Sequence, residues 1–288
     1  MKKIEFIKKK NITFTISIIL VLIAIISMAT RGLNLGIDFT GGSQLQYKFT
    51  KDFNEDDIRA IMDNMNLPAK IQKAGENEVL IKTEFLDEDQ TLELRRTLEE
   101  QIAPLTDDGI RAQTKFYPTI GRELRDNAFK AILWAIIAIL VYISVRFDFK
   151  FAAAAIITLV HDSIITIGIF SLLQRTIDNT MIAALLTLLG YSLNDTIVVS
   201  DRIRENIRRM KNVKFGEMVN TSINQSLSRT VHTSLTTLIP VLILLFFAGE
   251  TLKNFALALF IGVIIGTYSS IFVVSPLITI WNKGRVLK

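Results

Sequence analysis

The chain of 288 residues contains no cysteine, five prolines and two histidines. Without cysteine there are no disulfides, thiolate zinc sites, iron–sulfur clusters or thiol nucleophiles. With so little proline and 14 glycines it is neither collagen-like nor a low-complexity disordered chain. Charge is scarce too: 21% of residues are charged against 50% hydrophobic, and the mean hydropathy is +0.37. That balance argues against an ordinary water-soluble enzyme. The chain also lacks the Gly-Lys-Ser/Thr end of a phosphate loop, the Gly-x-Ser-x-Gly elbow and the Gly-x-Gly-Asp of intramembrane aspartyl proteases. No catalytic residue and no metal ligand set is predicted, and the chain is not read as an enzyme.

What is present is apolar sequence in six long runs, at 12–29, 128–145, 151–173, 181–200, 230–248 and 255–281. Each is close to the ~20 residues a helix needs to cross a hydrocarbon layer ~30 Å thick. Lysines 2, 3, 8, 9 and 10 precede the first run, as in a signal peptide. No small-x-small cleavage site follows it, so it is read as a retained anchor. Basic residues set the orientation. The segments before the first run, between the second and third, at 201–214 after the fourth, and after the sixth hold 16 lysines and arginines. The short connections on the other side hold Arg175 and Lys253 alone. Both termini are therefore predicted to face the cytoplasm. The net charge of +5 is a topology signal and predicts no nucleic-acid partner.

The predicted organisation is a cytoplasmic tail at 1–11, a transmembrane helix at 12–30 and an exterior α+β domain at 31–127. Transmembrane helices two to six follow at 128–281, with a basic cytoplasmic loop at 201–220, and a cytoplasmic tail closes the chain at 282–288. In the exterior segment Leu45, Tyr47 and Phe49 alternate with Gln44, Gln46 and Lys48, the period of a half-buried strand. Ile58, Ile61, Met62 and Met65 recur at helical spacing behind Asn54, a candidate N-cap. Strands around Ile71 and 79–81 flank a turn at 74–77; Leu94, Leu98 and Ile102 mark a second helix, and 112–117 a last strand. The order β-α-β-β-α-β is that of a ferredoxin-like unit.

Ionisable side chains interrupt the apolar runs at His161 and Asp162, at Asp195 beside Asn194, and at Arg229 with His232. An acid or base at the bilayer centre costs roughly 2.5–3.5 kcal/mol, so each requires a partner or a watery cavity. Read plainly, they are polar contacts that hold helices together. Read functionally, they form a proton path in which Asp195 gains and loses a proton as Arg229 approaches and withdraws. Arginine suits the counter-charge because it does not deprotonate. Asp162 has Arg229, His232 and His161 as candidate partners in this chain. The glycine-rich stretch with Gly36, Asp38, Gly41 and Gly42 reads as a turn into the exterior domain. Gly262 and Gly266 read as a close helix contact.

These residues bring a resemblance with them. The stretches Leu33-Asn34-Leu35-Gly36-Ile37-Asp38-Phe39-Thr40-Gly41-Gly42, Gly190-Tyr191-Ser192-Leu193-Asn194-Asp195-Thr196, Asp201-Arg202-Ile203-Arg204-Glu205-Asn206, Ser226-Leu227-Ser228-Arg229-Thr230 and Gly266-Thr267-Tyr268-Ser269-Ser270 resemble the SecD/SecF family, relatives of the RND transporters. The likeness runs over essentially the whole chain. It implies a polytopic α-helical membrane protein, a six-helix RND-type half with one α+β domain between helices one and two, in the bacterial cytoplasmic (inner) membrane. It implies a heterodimer with SecD, work with the SecYEG channel and associated Sec components on unfolded preproteins in the lipid membrane, and no cofactor beyond the proton-motive force. It further implies that Asp195 and Arg229 act in proton movement with an acidic residue contributed by SecD. A passive scaffolding subunit and an RND-type small-molecule exporter are the competing readings. The second is disfavoured by an exterior domain of only about 95 residues.

Overall fold

The computed structural model describes residues 4–282, apart from the side chains of Glu250 and Thr251. Residues 283–288 of the predicted C-terminal tail, and residues 1–3 of the N-terminal one, lie outside the described residues. The chain divides into two compact units. One is an α+β unit, Leu35–Phe129, and the other is helical, built from the chain before and after it.

The α+β unit begins with a single helical turn, α2 (Ile37–Thr40), and continues β1 (Gly42–Phe49), α3 (Glu55–Asn64), β2 (Ala69–Lys73), β3 (Glu78–Thr83), α4 (Glu88–Gln101) and β4 (Leu105–Phe116). The four strands form one antiparallel sheet in the order β2-β3-β1-β4. Alternation along β1 sends Leu45, Tyr47 and Phe49 into a core shared with Ile58, Ile61 and Met62 of α3 and Leu94 and Leu98 of α4. Both helices start where side chains satisfy their free N–H groups. Asn54 accepts from the Asp56 N–H at 3.2 Å, and Asp87 and Gln90 form a reciprocal capping box. Burial among apolar groups pushes the Tyr47 hydroxyl up to about 12. The last strand starts at Leu105, seven residues before the sequence suggests. Pairing with β1 steps from Ile110 opposite Tyr47 to Leu105 opposite Phe49, so the polar Thr106-Asp107-Asp108-Gly109 stretch bulges out of register inside the strand. Such bulges let an edge strand carry residues that a central strand excludes.

Six helices among the described residues are long and apolar enough to cross a membrane. They are α1 (Lys10–Arg31, entered through a 3₁₀ turn at Ile7–Lys9), α5 (Pro118–Arg146), α6 (Phe149–Leu172), α7 (Asn179–Arg209), α8 (Phe215–Phe247) and a composite sixth span. The sixth joins α9 (Glu250–Ser269), a π-helical segment (Ser270–Val274) and α10 (Ser275–Trp281). Packing inside this unit runs through small residues, as it does where lipid tails already solvate large apolar ones. On α1 the buried face is Thr13, Ser17, Ala24 and Ser27, whereas Ile12, Ile18 and Ile26 point outward. A side chain at Gly168 of α6 would overlap Ala24, and Ser27 bonds Ser171 at 3.0 Å.

The segment expected as a loop at 201–220 is helical except for five residues, Met210–Lys214. The correction has a physical cause. Ile203 and Asn206 continue the buried stripe of α7, and Phe215, Met218 and Val219 begin that of α8. The charges sit on the outer face, where Glu205 pairs with Arg202 and Arg209 one turn away on either side. Charge thus marked an amphipathic helix end rather than a coil.

Candidate functional site

Two carboxylates are buried within the spans themselves, Asp162 of α6 and Asp195 of α7, each about 1% exposed; a third, Asp178, is buried just ahead of α7 as its N-cap. A glycine ridge on the sixth span creates the surroundings of the first two. A β-carbon at Gly262 would stand 2.5 Å from Leu188 Cδ1, and one at Gly266 would stand 3.1 Å from Ser192 Cβ. Only glycine lets the sixth span lie this close to α7, and the closeness brings the hydroxyls of the next turn within reach of both acids.

Asp162 is fully engaged. Its Oδ2 accepts from Ser192 Oγ at 2.6 Å and from Ser269 Oγ at 2.8 Å, while Oδ1 lies 2.8 Å from His161 Nδ1. This set ties α6 to α7 and to the residue immediately before the π-helical segment. Proline 276 lacks an N–H and cannot continue regular α-helical bonding there, which is consistent with the wider turn. His161 Nε2 is buried without a partner among the described residues. The ring thus faces the carboxylate with Nδ1, the nitrogen placed to donate to it.

Asp195 has a sparser set. Thr267 Oγ1 lies 3.3 Å from its Oδ2, and Ser234 of α8 is the second hydroxyl beside it, its single proton shared with Thr230 O at 2.8 Å. Thr267 has a single proton and closer acceptors at Val263 O, 2.7 Å, and Ser234 Oγ, 2.6 Å. No cation reaches either carboxylate among the described residues, the His161 ring aside.

The expected Asp195–Arg229 pair is therefore not formed within this chain. Arg229 and His232 are exposed on α8, and His232 Nδ1 contacts the Ser228 carbonyl oxygen at 2.5 Å. Asn194 is likewise exposed, about 100° around α7 from its acidic neighbour. The reason is helical phase. On α8 the buried positions are Ser222, Ser226, Thr230 and Ser234, four residues apart, so Gln225, Arg229, His232 and Thr236 share the outward face. Three of the buried hydroxyls return their protons to their own helix: Ser222 to Met218 O, Ser226 to Ser222 O and Ser234 to Thr230 O. Of the partners expected for Asp162, His161 is in place and Arg229 and His232 are not; the hydroxyl partners Ser192, Ser269 and Thr267 were not singled out by sequence reasoning. The close contact at Gly262 and Gly266 was the available pointer, because Thr267 and Ser269 fall directly after it.

In the α+β unit, Gly41 and Gly42 have φ of +83° and +153°, respectively. A side chain at Gly42 would overlap Thr83 O, and one at Gly41 would meet Pro118 at 2.9 Å. Gly36 precedes α2 in extended conformation, and Asp38 lies in its first turn, where an acid favours the helix dipole. These residues build a tight corner between α2, β1 and the first turn of α5.

Six apolar spans around two buried carboxylates, with one α+β unit inserted after the first span, define a polytopic α-helical membrane protein. A family model described as protein export membrane protein SecD/SecF, C-terminal, matches residues 99–284, and one for the SecD/SecF GG motif matches 26–52, the corner just described. The chain belongs to the SecD/SecF family. It is 44% identical to the protein translocase subunit SecF of Desulfurispirillum indicum, over 98% of this chain and 93% of that one. It is 42% identical to the SecDF subunit of Thermus thermophilus, over 88% of this chain but 35% of the relative. A crystal structure of SecDF from that organism, titled a translocon-associated membrane protein, matches with a TM-score of 0.87 at 40% identity. The match covers 97% of this chain, which spans only 39% of the solved one.

Proposed function

We propose that this chain acts as a SecF-type subunit that pairs with SecD and uses the proton-motive force to help draw preproteins through the SecYEG channel. The Sec names of its relatives support the export role, and the fusion of the two halves in SecDF supports the partner. The 16-to-2 distribution of basic residues supports cytoplasmic termini, with the α+β unit on the far side of the inner membrane.

One observation carries the proton reading: Asp195 is buried without an opposite charge, while Arg229 is exposed without a carboxylate, each inside a span. A guanidinium facing lipid is costly, so the polar face of α8 suits a partner helix better than acyl chains. Asp195 is the group that takes up and releases the proton, and Arg229 is the counter-charge that draws near in one arrangement of the helices and withdraws in the other. The membrane potential alone supplies about 2.3 kcal/mol per charge per 100 mV, which a bistable helix bundle can convert into movement of the α+β unit. Asp162, with both oxygens engaged, orients helices and His161 instead of carrying the proton.

Asp195→Asn tests this at nearly constant volume. The variant is expected to insert, assemble with SecD and lose proton-driven export in membrane vesicles; full export would refute the relay. Arg229→Ala is expected to lose export as well.

A further inference from the structure

The helical unit carries a second polar feature that the proton path does not use. Where α5 ends and α7 runs through its last turns, a recess of about 470 Å³ is lined by Arg146, Asp201, Arg204, Glu205, Arg208 and Arg209. The buried ring of Phe147 organises it. The guanidinium of Arg146 lies 6.0 Å from the ring centroid and that of Arg204 lies 5.8 Å from it, so two like charges share one aromatic surface. Arg204 is further fixed by its Nη1, which donates to the Arg146 carbonyl oxygen at 3.0 Å.

The charges in the recess do not cancel. Glu205 is committed to Arg209 at 3.0 Å and to Arg202 outside the recess at 2.5 Å. Arg146, Arg204 and Arg208 have no ion pair among the described residues, and neither does Asp201. A positive-inside bias accounts for basic residues at this end of the spans, but not for their convergence on one cavity around one ring. Within a turn of Arg146 along the chain stand exposed apolar side chains: Tyr142 at 54%, Val145 at 85% and Phe149 at 78%. An occupant that complements both parts has an anionic head and an apolar body.

We propose that this recess is a binding site for an anionic phospholipid, with the phosphate held by Arg146, Arg204 and Arg208 and the acyl chains lying along Tyr142 and Val145. Guanidinium groups bind phosphate in bidentate fashion, and basic pockets between spans recognise lipid headgroups. Asp201 is the one adverse group, and it sets the direction of a second test.

The experiment uses the full chain in neutral detergent, with native mass spectrometry and a fluorescence titration as readouts. Phosphatidylglycerol and cardiolipin are compared with phosphatidylcholine and with inorganic phosphate. The wild type is expected to prefer the anionic lipids. Each arginine removed in Arg146→Gln, Arg204→Gln and Arg208→Gln is expected to weaken binding about fivefold, and the triple variant about a hundredfold. Arg175→Gln, at an exposed site away from the recess, is expected to bind as the wild type does. If the triple variant does not fold, Asp201→Asn keeps the test alive, because removing the adverse charge is expected to tighten binding about fivefold. Equal binding of phosphatidylcholine, undiminished binding by the triple variant, or no change in Asp201→Asn overturns the proposal. Arginine-dependent binding of inorganic phosphate with no preference among lipids also overturns it, since the recess is then a site for a free anion.

Discussion

Replacing Asp162 by asparagine and by leucine separates a hydrogen-bonding acid from a proton carrier. The carboxylate of Asp162 serves three donors: Ser192 Oγ at 2.6 Å, Ser269 Oγ at 2.8 Å and His161 Nδ1 at 2.8 Å. Leucine removes every acceptor. Ser269 has an alternative in Gly266 O, 3.1 Å away, so its hydroxyl can turn back to its own helix. Ser192 and the His161 N–H lose their acceptor, and a buried donor left unsatisfied costs roughly 1–3 kcal/mol, which puts Asp162→Leu at about 2–6 kcal/mol. Asparagine keeps one acceptor oxygen for His161 and offers an amide to the serine oxygens, for a cost of roughly 1 kcal/mol. At ~2–4 °C per kcal/mol, Asp162→Asn should lower the unfolding midpoint by a few degrees and Asp162→Leu by roughly 5–20 °C. Thermal unfolding of the complex with SecD in detergent reads the first quantity, and export into membrane vesicles reads the second. Asp162→Asn is expected to assemble and to export. Should it assemble but fail to export as completely as Asp195→Asn, Asp195 is not the sole titrating acid of this chain. Should both variants unfold at the same temperature, the hydrogen-bond inventory is wrong.

Gly262→Val should push the sixth span off Leu188 and cost ~1–3 kcal/mol by overpacking, whereas Gly190→Ala, with nothing within 4 Å, should be neutral or slightly stabilising; equal midpoints would contradict the close-contact argument. Single cysteines at Asn77 and Asn212 should react oppositely with an impermeant thiol reagent on intact cells, the first labelled and the second not, and the reverse pattern inverts the topology. Tyr47, raised to about 12, should give the Tyr47→Phe difference titration of tyrosinate absorbance a midpoint near that pH and not near 10. Because the folded form holds its proton longer than the unfolded one, this contribution is complete below pH 10. It is lost between pH 10 and 12, and it amounts to roughly 3 kcal/mol that Tyr47→Phe should no longer show.

The six spans were legible because long apolar runs have few other physical explanations. Their ends were not, because α7 and α8 continue as amphipathic helices whose outer faces carry the same arginines and glutamates that a solvated loop would. The α+β order was readable from the period-two alternation at Leu45, Tyr47 and Phe49, but β4 was cut short because Asp107, Asp108 and Gly109 form a polar bulge, and Leu105, which resumes the pairing opposite Phe49, lies beyond it. Asp162 and Asp195 announced themselves as charges in apolar sequence. Of their partners only the adjacent His161 did, since charge complementarity names Arg229 while the rotation of α8 is set by a weaker signal, the four-residue spacing of Ser222, Ser226, Thr230 and Ser234. The neutral hydroxyls of Ser192, Thr267 and Ser269 carry no charge to draw notice; their role follows from how closely Gly262 and Gly266 allow two backbones to approach.

The self-bonded hydroxyls of α8 have a mechanical consequence. A serine whose proton returns to its own helix asks nothing of the surface it rests on, so such a surface behaves as a bearing and not as a lock. Two keys interrupt it: Asn206 donates to Ser222 Oγ at 2.8 Å, and Thr267 meets Ser234 Oγ at 2.6 Å. A step of one turn in one direction sets Ser226 before Asn206 but Leu238 before Thr267, and in the other sets Thr230 before Thr267 but Met218 before Asn206, so any axial step of α8 keeps one key and strands the other. The helix that bears Arg229 is thus pinned in one axial register by two keys at a distance from each other, while the rest of its hydroxyl face holds on to nothing.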